Sequence, residues 1–289
     1  MSNIFLSTTF SKDNEKLSDV LSKISKYNII NKIELGSNHK YQKNYKFIAK
    51  YNFDLLTHNY FPPLKKDFVI NIASKDNLIR KKSINVIKKN IKFSKSIASK
   101  LYTFHPGFIE DPISKNIGNK NYDFVWKKKL INRKNYELSW KLMISSIKEI
   151  IKYSKKINQK IAFETEGSLD KKHLLLMQKP NEFDNFSKEV SFLDIGINLN
   201  LGHLNLASKA FNFSRSKFIK KIKKYIVAIE MSHNFRKKDD HLPLKKNAWY
   251  WKILNDNYFK NVFKILEVRN TSLVNLKKNL KIINDQIKY

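Results

Sequence analysis

The sequence predicts an α/β fold, a single (β/α)8 barrel of the TIM type over residues 1–289, on three observations. Eight short apolar runs alternate with longer stretches of helical periodicity from one end of the chain to the other. No linker rich in Gly, Pro or Ser interrupts that alternation, which argues for one domain. A length of 289 residues suits one such barrel.

The expected strands, in order, are 4–8, 32–35, 53–57, 101–104, 160–163, 195–201, 226–231 and 262–268. Each is a short run of Ile, Leu, Val and Phe, the residues that fill a strand buried on both faces. Between them lie helical stretches. After the first strand, Leu17, Val20, Leu21 and Ile24 mark one face of a helix; after the fourth, Leu138, Leu142, Ile144, Ile147, Ile150 and Ile151 mark another. Repeated βα units imply a parallel sheet with the helices outside it. Two longer connections, 61–74 and 107–135, follow the third and fourth strands. In a barrel such loops lie over the ligand-binding face, so they predict a covered site. An open doubly wound sheet is disfavoured, because no GxGxxG turn follows the first strand.

Composition narrows the chemistry. The absence of Cys excludes a disulfide scaffold, a thiolate zinc site, an iron–sulfur cluster and a cysteine nucleophile, leaving oxygen and imidazole as metal ligands. The net charge of +32 invites a nucleic-acid reading. Of the 57 basic residues, however, only Arg80, Arg133, Arg215, Arg236 and Arg269 are Arg, and the 52 Lys are spread from Lys12 to Lys288. Such a spread reads as solvated helix faces and an A+T-rich coding bias. No signal-peptide pattern and no membrane-length apolar window is present, so a cytoplasmic location and no membrane partner are expected.

Polar residues collect at the predicted strand ends. His58, His105, His203, His233 and His241 fall there; His39 and His173 do not. Glu164, Asn200, Glu230, Asp239 and Glu267 occupy the same level. A carboxylate inside an apolar run, such as Glu164 in IAFETEG or Glu267 in KILEVRN, needs a partner when buried, and a divalent cation at the barrel mouth supplies one. The ends of different strands converge there, as an O/N metal site requires. For any single His, a hydrogen-bonded core role is the plainer reading. Trp249, Tyr250 and Trp251 read as packing against the barrel. Glu166 and His233 are candidates for orienting the ligands.

The motifs LLTHNYFPP around His58, YTFHPGF around His105, FETEG around Glu164, NLNLGH ending at His203, IEMSHN with DDHLPL from Ile229 to Leu244, and ILEVRN around Glu267 resemble, in this order, the xylose isomerase-like barrels. That family includes sugar and sugar-phosphate isomerases and epimerases and the endonuclease IV type of abasic-site nuclease. The resemblance implies that Glu164 and Glu267 are metal ligands and, in the isomerase branch, the acid/base pair flanking a substrate enediolate. It implies metal ligands also at Asn200, which stands where the family usually has Asp in an LDxxH pattern, with His203 retained, and can offer its carbonyl oxygen, and at Glu230, which stands where the family usually has His. It implies further metal ligands at His58 and His105, and at His203, Asp239 and His241, as in the nuclease branch. Arg236 resembles a substrate-binding Arg of the keto-sugar epimerases, and His203 and His233 join it as substrate contacts. The implied cofactor is a divalent ion, Mn²⁺, Mg²⁺, Co²⁺ or Zn²⁺. The implied partner is a small sugar or sugar phosphate, with DNA as partner only for a nuclease and a homo-oligomer left open.

Overall fold

The computed structural model describes residues 3–66, 68–112, 114–115, 124–125, 132–169 and 175–288. Part of the long connection 107–135, and His173, lie outside them. Eight parallel strands close a barrel: β1 (Ile4–Ser7), β2 (Lys32–Leu35), β3 (Asp54–His58), β4 (Tyr102–Phe104), β7 (Ile161–Glu164), β8 (Gly196–Asn200), β9 (Ile226–Met231) and β10 (Phe263–Leu266). Their order around the barrel is β1-β10-β9-β8-β7-β4-β3-β2, with β2 also pairing β1. A two-stranded antiparallel hairpin, β5 (Ser114–Lys115) with β6 (Phe124–Val125), lies in the connection after β4.

The helices are α1 (Leu17–Lys26), α2 (Asn77–Ser96), α3 (Arg133–Ile157), α4 (Pro180–Glu189), α5 (Leu201–Ala210), α6 (Arg215–Ile222), the short α7 (Trp251–Leu254) and α8 (Leu273–Gln286). Between β2 and β3 a 3-10 turn, Lys46–Lys50, stands where the repeat would place a helix. The predicted apolar stripe of α1 is the buried one, Leu17, Val20, Leu21 and Ile24. Asp76 caps α2 by accepting from the backbone N–H groups of Leu78 and Ile79.

Strand alternation divides the core in two. Ile4, Leu6, Ile33, Leu35, Tyr102, Phe104, Phe163 and Leu199 belong to the large cluster that also holds the buried faces of the helices. Phe5, Leu56, Leu101, Ala162, Ala228 and Ile265 form a separate small cluster that floors the barrel lumen. One period further along the same strands, toward their C-terminal ends, the residues are Ser7, His58, Thr103, Glu164, Glu230 and Glu267. The lumen therefore changes from apolar to polar within a single layer.

Candidate active site

Two structural differences set the site. The last strand ends at Leu266 rather than at residue 268, so Glu267 lies just past it on the rim. The sixth barrel strand stops at Asn200, and Leu201 already begins α5. Asn200 is thereby the N-cap of that helix, its Oδ1 accepting the His203 backbone N–H at 3.0 Å. His203 sits in the first turn of the helix, with its Nδ1 2.9 Å from the Thr165 carbonyl oxygen. Gly167 makes this approach possible, because a Cβ there would lie 2.0 Å from the His203 carbonyl oxygen.

The imidazoles converge on carboxylates in two groups. In the first, His58 is anchored at Nδ1 by Thr103 Oγ1 (2.8 Å) and His105 at Nδ1 by Glu166 Oε1 (2.6 Å). Their Nε2 atoms lie 3.6 and 3.7 Å from Glu164 Oε2, a buried oxygen that has no hydrogen-bond partner. Anchoring one ring nitrogen and aiming the other at a shared carboxylate is how proteins orient imidazole ligands.

In the second group, Asp239 Oδ2 lies 3.2 Å from His203 Nε2 and 2.7 Å from His241 Nε2. Glu267 Oε2 is 3.1 Å from His241 Nδ1, and Arg269 flanks Glu267 at 3.6 Å. The loop carrying Asp239 and His241 is pinched shut by reciprocal backbone hydrogen bonds of 2.9 Å between His233 and Leu242.

Charge balance follows from this packing. Burial pushes the His58 imidazolium down to about 4, so His58 is neutral and ready to ligate. Burial also opposes charge on His105 and His241, but the carboxylates of Glu166 and Glu164, and of Asp239 and Glu267, outweigh it and hold each up at about 9. A cation entering these groups displaces a proton. Burial works against ionisation of Glu164 and Glu267 too, yet neighbouring imidazoles hold Glu164 well below the usual carboxylate range and Glu267 down at about 2. Glu230 and Glu34 are pushed well up, first by burial and then by the other carboxylates.

His58, His105 and Glu164 place ligand atoms within 4.8 Å of one another, as do His203, Asp239 and His241. Their donor chemistry fits a divalent ion bound by oxygen and imidazole. The set Glu164, Asn200, Glu230 and Glu267 is different. The Asn200 amide Nδ2 donates to Glu164 Oε1 (2.8 Å) and to Glu230 Oε2 (2.9 Å), and Asn198 Nδ2 donates to Glu230 Oε1 (2.5 Å). Donors thus stand where the resemblance implies ligands.

Arg236 points elsewhere: its guanidinium contacts the Asn205 carbonyl and Ser208 Oγ on α5, and it lines an outer groove with Arg215 and Trp249. The His233 ring packs edge-on against Phe235 and Tyr250. Neither contacts the groups just described. Two contributors were absent from the expectations. Glu34 on β2 is buried in the lumen, and Asn198 two residues before Asn200 braces Glu230. Glu34 had a signal, the same charge inside an apolar run that marks Glu164.

The fold and site define a class: parallel barrels that gather imidazoles and carboxylates at the C-terminal mouth of the strands. The family profile described as xylose isomerase-like TIM barrel matches residues 36–289, and the chain belongs to that family. Solved structures share the fold at low identity. A D-tagatose 3-epimerase-like protein is similar with a TM-score of 0.73 and 18% identity, over 99% of this chain and 97% of the other. D-psicose 3-epimerase from Clostridium cellulolyticum H10, with D-tagatose, gives 0.65 and 12%, over 99% and 98%. A xylose isomerase domain protein from Planctomyces limnophilus gives 0.59 and 11%, over 98% and 95%. No curated protein matches the chain. No helix among the described residues is long and apolar enough to cross a membrane.

Proposed function

We propose that this protein, acting as one domain, is a divalent-metal-dependent isomerase or epimerase of a sugar or sugar phosphate. The observation that carries the reading is the pair Glu164 and Glu267, two buried carboxylates at the ends of β7 and β10, separated around the barrel by β8 and β9. Family membership and the epimerase-like folds support it.

Two carboxylates on different sides of one cavity can remove a proton from a substrate carbon and return one to the same or the adjacent carbon. His203 Nδ1 lies 3.0 Å from Glu164 Oε1 and His241 Nδ1 lies 3.1 Å from Glu267 Oε2, so each carboxylate has an imidazole that holds it in place. Glu164 Oε2 accepts no hydrogen bond from the described residues, which leaves it for a proton or an ion. A bound divalent ion, held by His58, His105 and Glu164 or by His203, Asp239 and His241, supplies charge to offset negative charge developing on substrate oxygens. The apolar floor below keeps water from reaching the reacting carbon from beneath.

The test is proton exchange. The full chain with MnCl2 is incubated in D2O with a panel of ketoses and ketose phosphates, and loss of carbon-bound ¹H is followed by NMR. The expected result is exchange accompanying turnover, abolished by Glu164→Gln and by Glu267→Gln. Turnover without exchange, or exchange untouched in both variants, overturns the mechanism.

A second reading, cleavage of abasic DNA, draws on the net charge of +32 and the two His–carboxylate groups. It requires nicking of an abasic duplex and binding that falls steeply with salt, since each neutralised phosphate releases counterions. Binding that is flat in salt removes it.

A further inference from the structure

Asn and Asp differ at one atom, and at position 200 that atom decides what the middle of the barrel mouth can hold. An Asp at a helix N-cap has a second oxygen to offer; Asn has one. Here that oxygen is committed to the His203 backbone N–H, which fixes the orientation of the amide. The NH2 group therefore faces inward and donates to both Glu164 and Glu230. A cation placed between those carboxylates beside Asn200 meets N–H hydrogens instead of a lone pair. Turning the amide over would open that position only by leaving the α5 cap unmade and taking one donor away from each of two buried carboxylates, each at a cost.

Glu34 answers this on the other side of the lumen. It is 1% exposed on β2, with both carboxylate oxygens buried, and among the described residues the Ser7 hydroxyl is the polar group that supports it. Ligand atoms of Glu34, His58 and Glu230 lie within 4.8 Å of one another. A carboxylate buried with so little support is costly in its charged form and is relieved by a proton or by a cation. Glu230 is the hinge of the arrangement: Asn198 and Asn200 hold it, and it stands against His58 Nδ1 at 3.8 Å.

We infer that the central divalent ion of this barrel is displaced toward β2 and is held by Glu34, His58 and Glu230, the position beside Asn200 being closed by its amide. Two carboxylates and one imidazole make an oxygen-rich set suited to Mn²⁺ or Zn²⁺. Asn200 closes one place for the ion and Glu230 helps to form another.

The experiment is anomalous scattering from crystals of the full chain soaked in MnCl2, with Mn²⁺ per chain measured in parallel on dialysed protein. The expected result is a peak within coordination reach of Glu34 and Glu230 and none on Asn200. Glu34→Gln, nearly isosteric, then loses one Mn²⁺ per chain while its thermal midpoint stays at or above that of the parent. A peak coordinated by Asn200 Oδ1 with Glu34 unliganded overturns the inference, and so does no peak at either place. Unchanged Mn²⁺ per chain in Glu34→Gln does the same. His58 is shared with the first flanking group, so the two ideas are told apart by whether the ion touches Glu34, and a peak at His203, Asp239 and His241 bears on the proposed function alone.

Discussion

Burying the His39 imidazole gives the fold a measurable pH dependence. It lies outside the imidazole–carboxylate groups, 4% exposed, with Nε2 2.8 Å from Thr8 Oγ1 and Nδ1 3.3 Å from the Glu15 carbonyl oxygen. Burial pushes its imidazolium down from the ordinary 6.5 to about 4. A group depressed in the folded state binds fewer protons there than in the unfolded chain between these two values, so stability falls as pH drops through 6.5 toward 4. The whole difference is worth about 3.4 kcal/mol, and the part realised between pH 7 and pH 5 is about 1.8 kcal/mol. His39→Gln keeps a polar side chain of similar reach that does not titrate. Urea denaturation of both proteins at pH 7 and pH 5 isolates the effect, because every other titrating group is common to the pair. The parent is expected to lose about 2 kcal/mol more than the variant on acidification. Equal losses, or a larger loss in the variant, would refute the burial of a neutral His39.

Three further outcomes follow from the geometry. Glu166→Gln removes the charge that anchors His105 Nδ1, and titration calorimetry with ZnCl2 should show affinity weakened by about 10- to 100-fold; unchanged affinity would mean that Glu166 does not orient the ligand. Gly167→Ala drives a methyl group into the His203 carbonyl, so it should cost about 1–3 kcal/mol in urea and weaken metal binding as well; a variant as stable as the parent contradicts the close approach. Asp76→Ala removes the cap of α2 and should cost about 1 kcal/mol without altering metal binding, since the cap lies on the exposed outer ring.

The barrel was legible because both of its periodicities are strong. The α1 stripe and the alternation Phe5, Ser7 against Ile4, Leu6 are written in residue types. After β2 the segment from Gly36 to Phe53 carries no helical stripe, in keeping with the missing helix, while the 3-10 turn that stands there rests on local contacts that residue type does not show. At the site, the expected His–carboxylate groups did converge, since strand ends in a closed barrel have one place to meet. Glu34 went unnoticed although KIEL buries its charge as IAFE buries Glu164. The direction of the Asn200 amide and the outward course of Arg236 depend on one cap and one carbonyl, contacts that residue type does not determine.

The floor of Phe5, Leu56, Leu101, Ala162, Ala228 and Ile265 makes the mouth a blind chamber. This layer closes the lumen from beneath, so a molecule that entered the mouth would leave on the same side. The same oily base has few dipoles with which to screen, so a charge placed above it is felt farther across the chamber than across an equal depth of water.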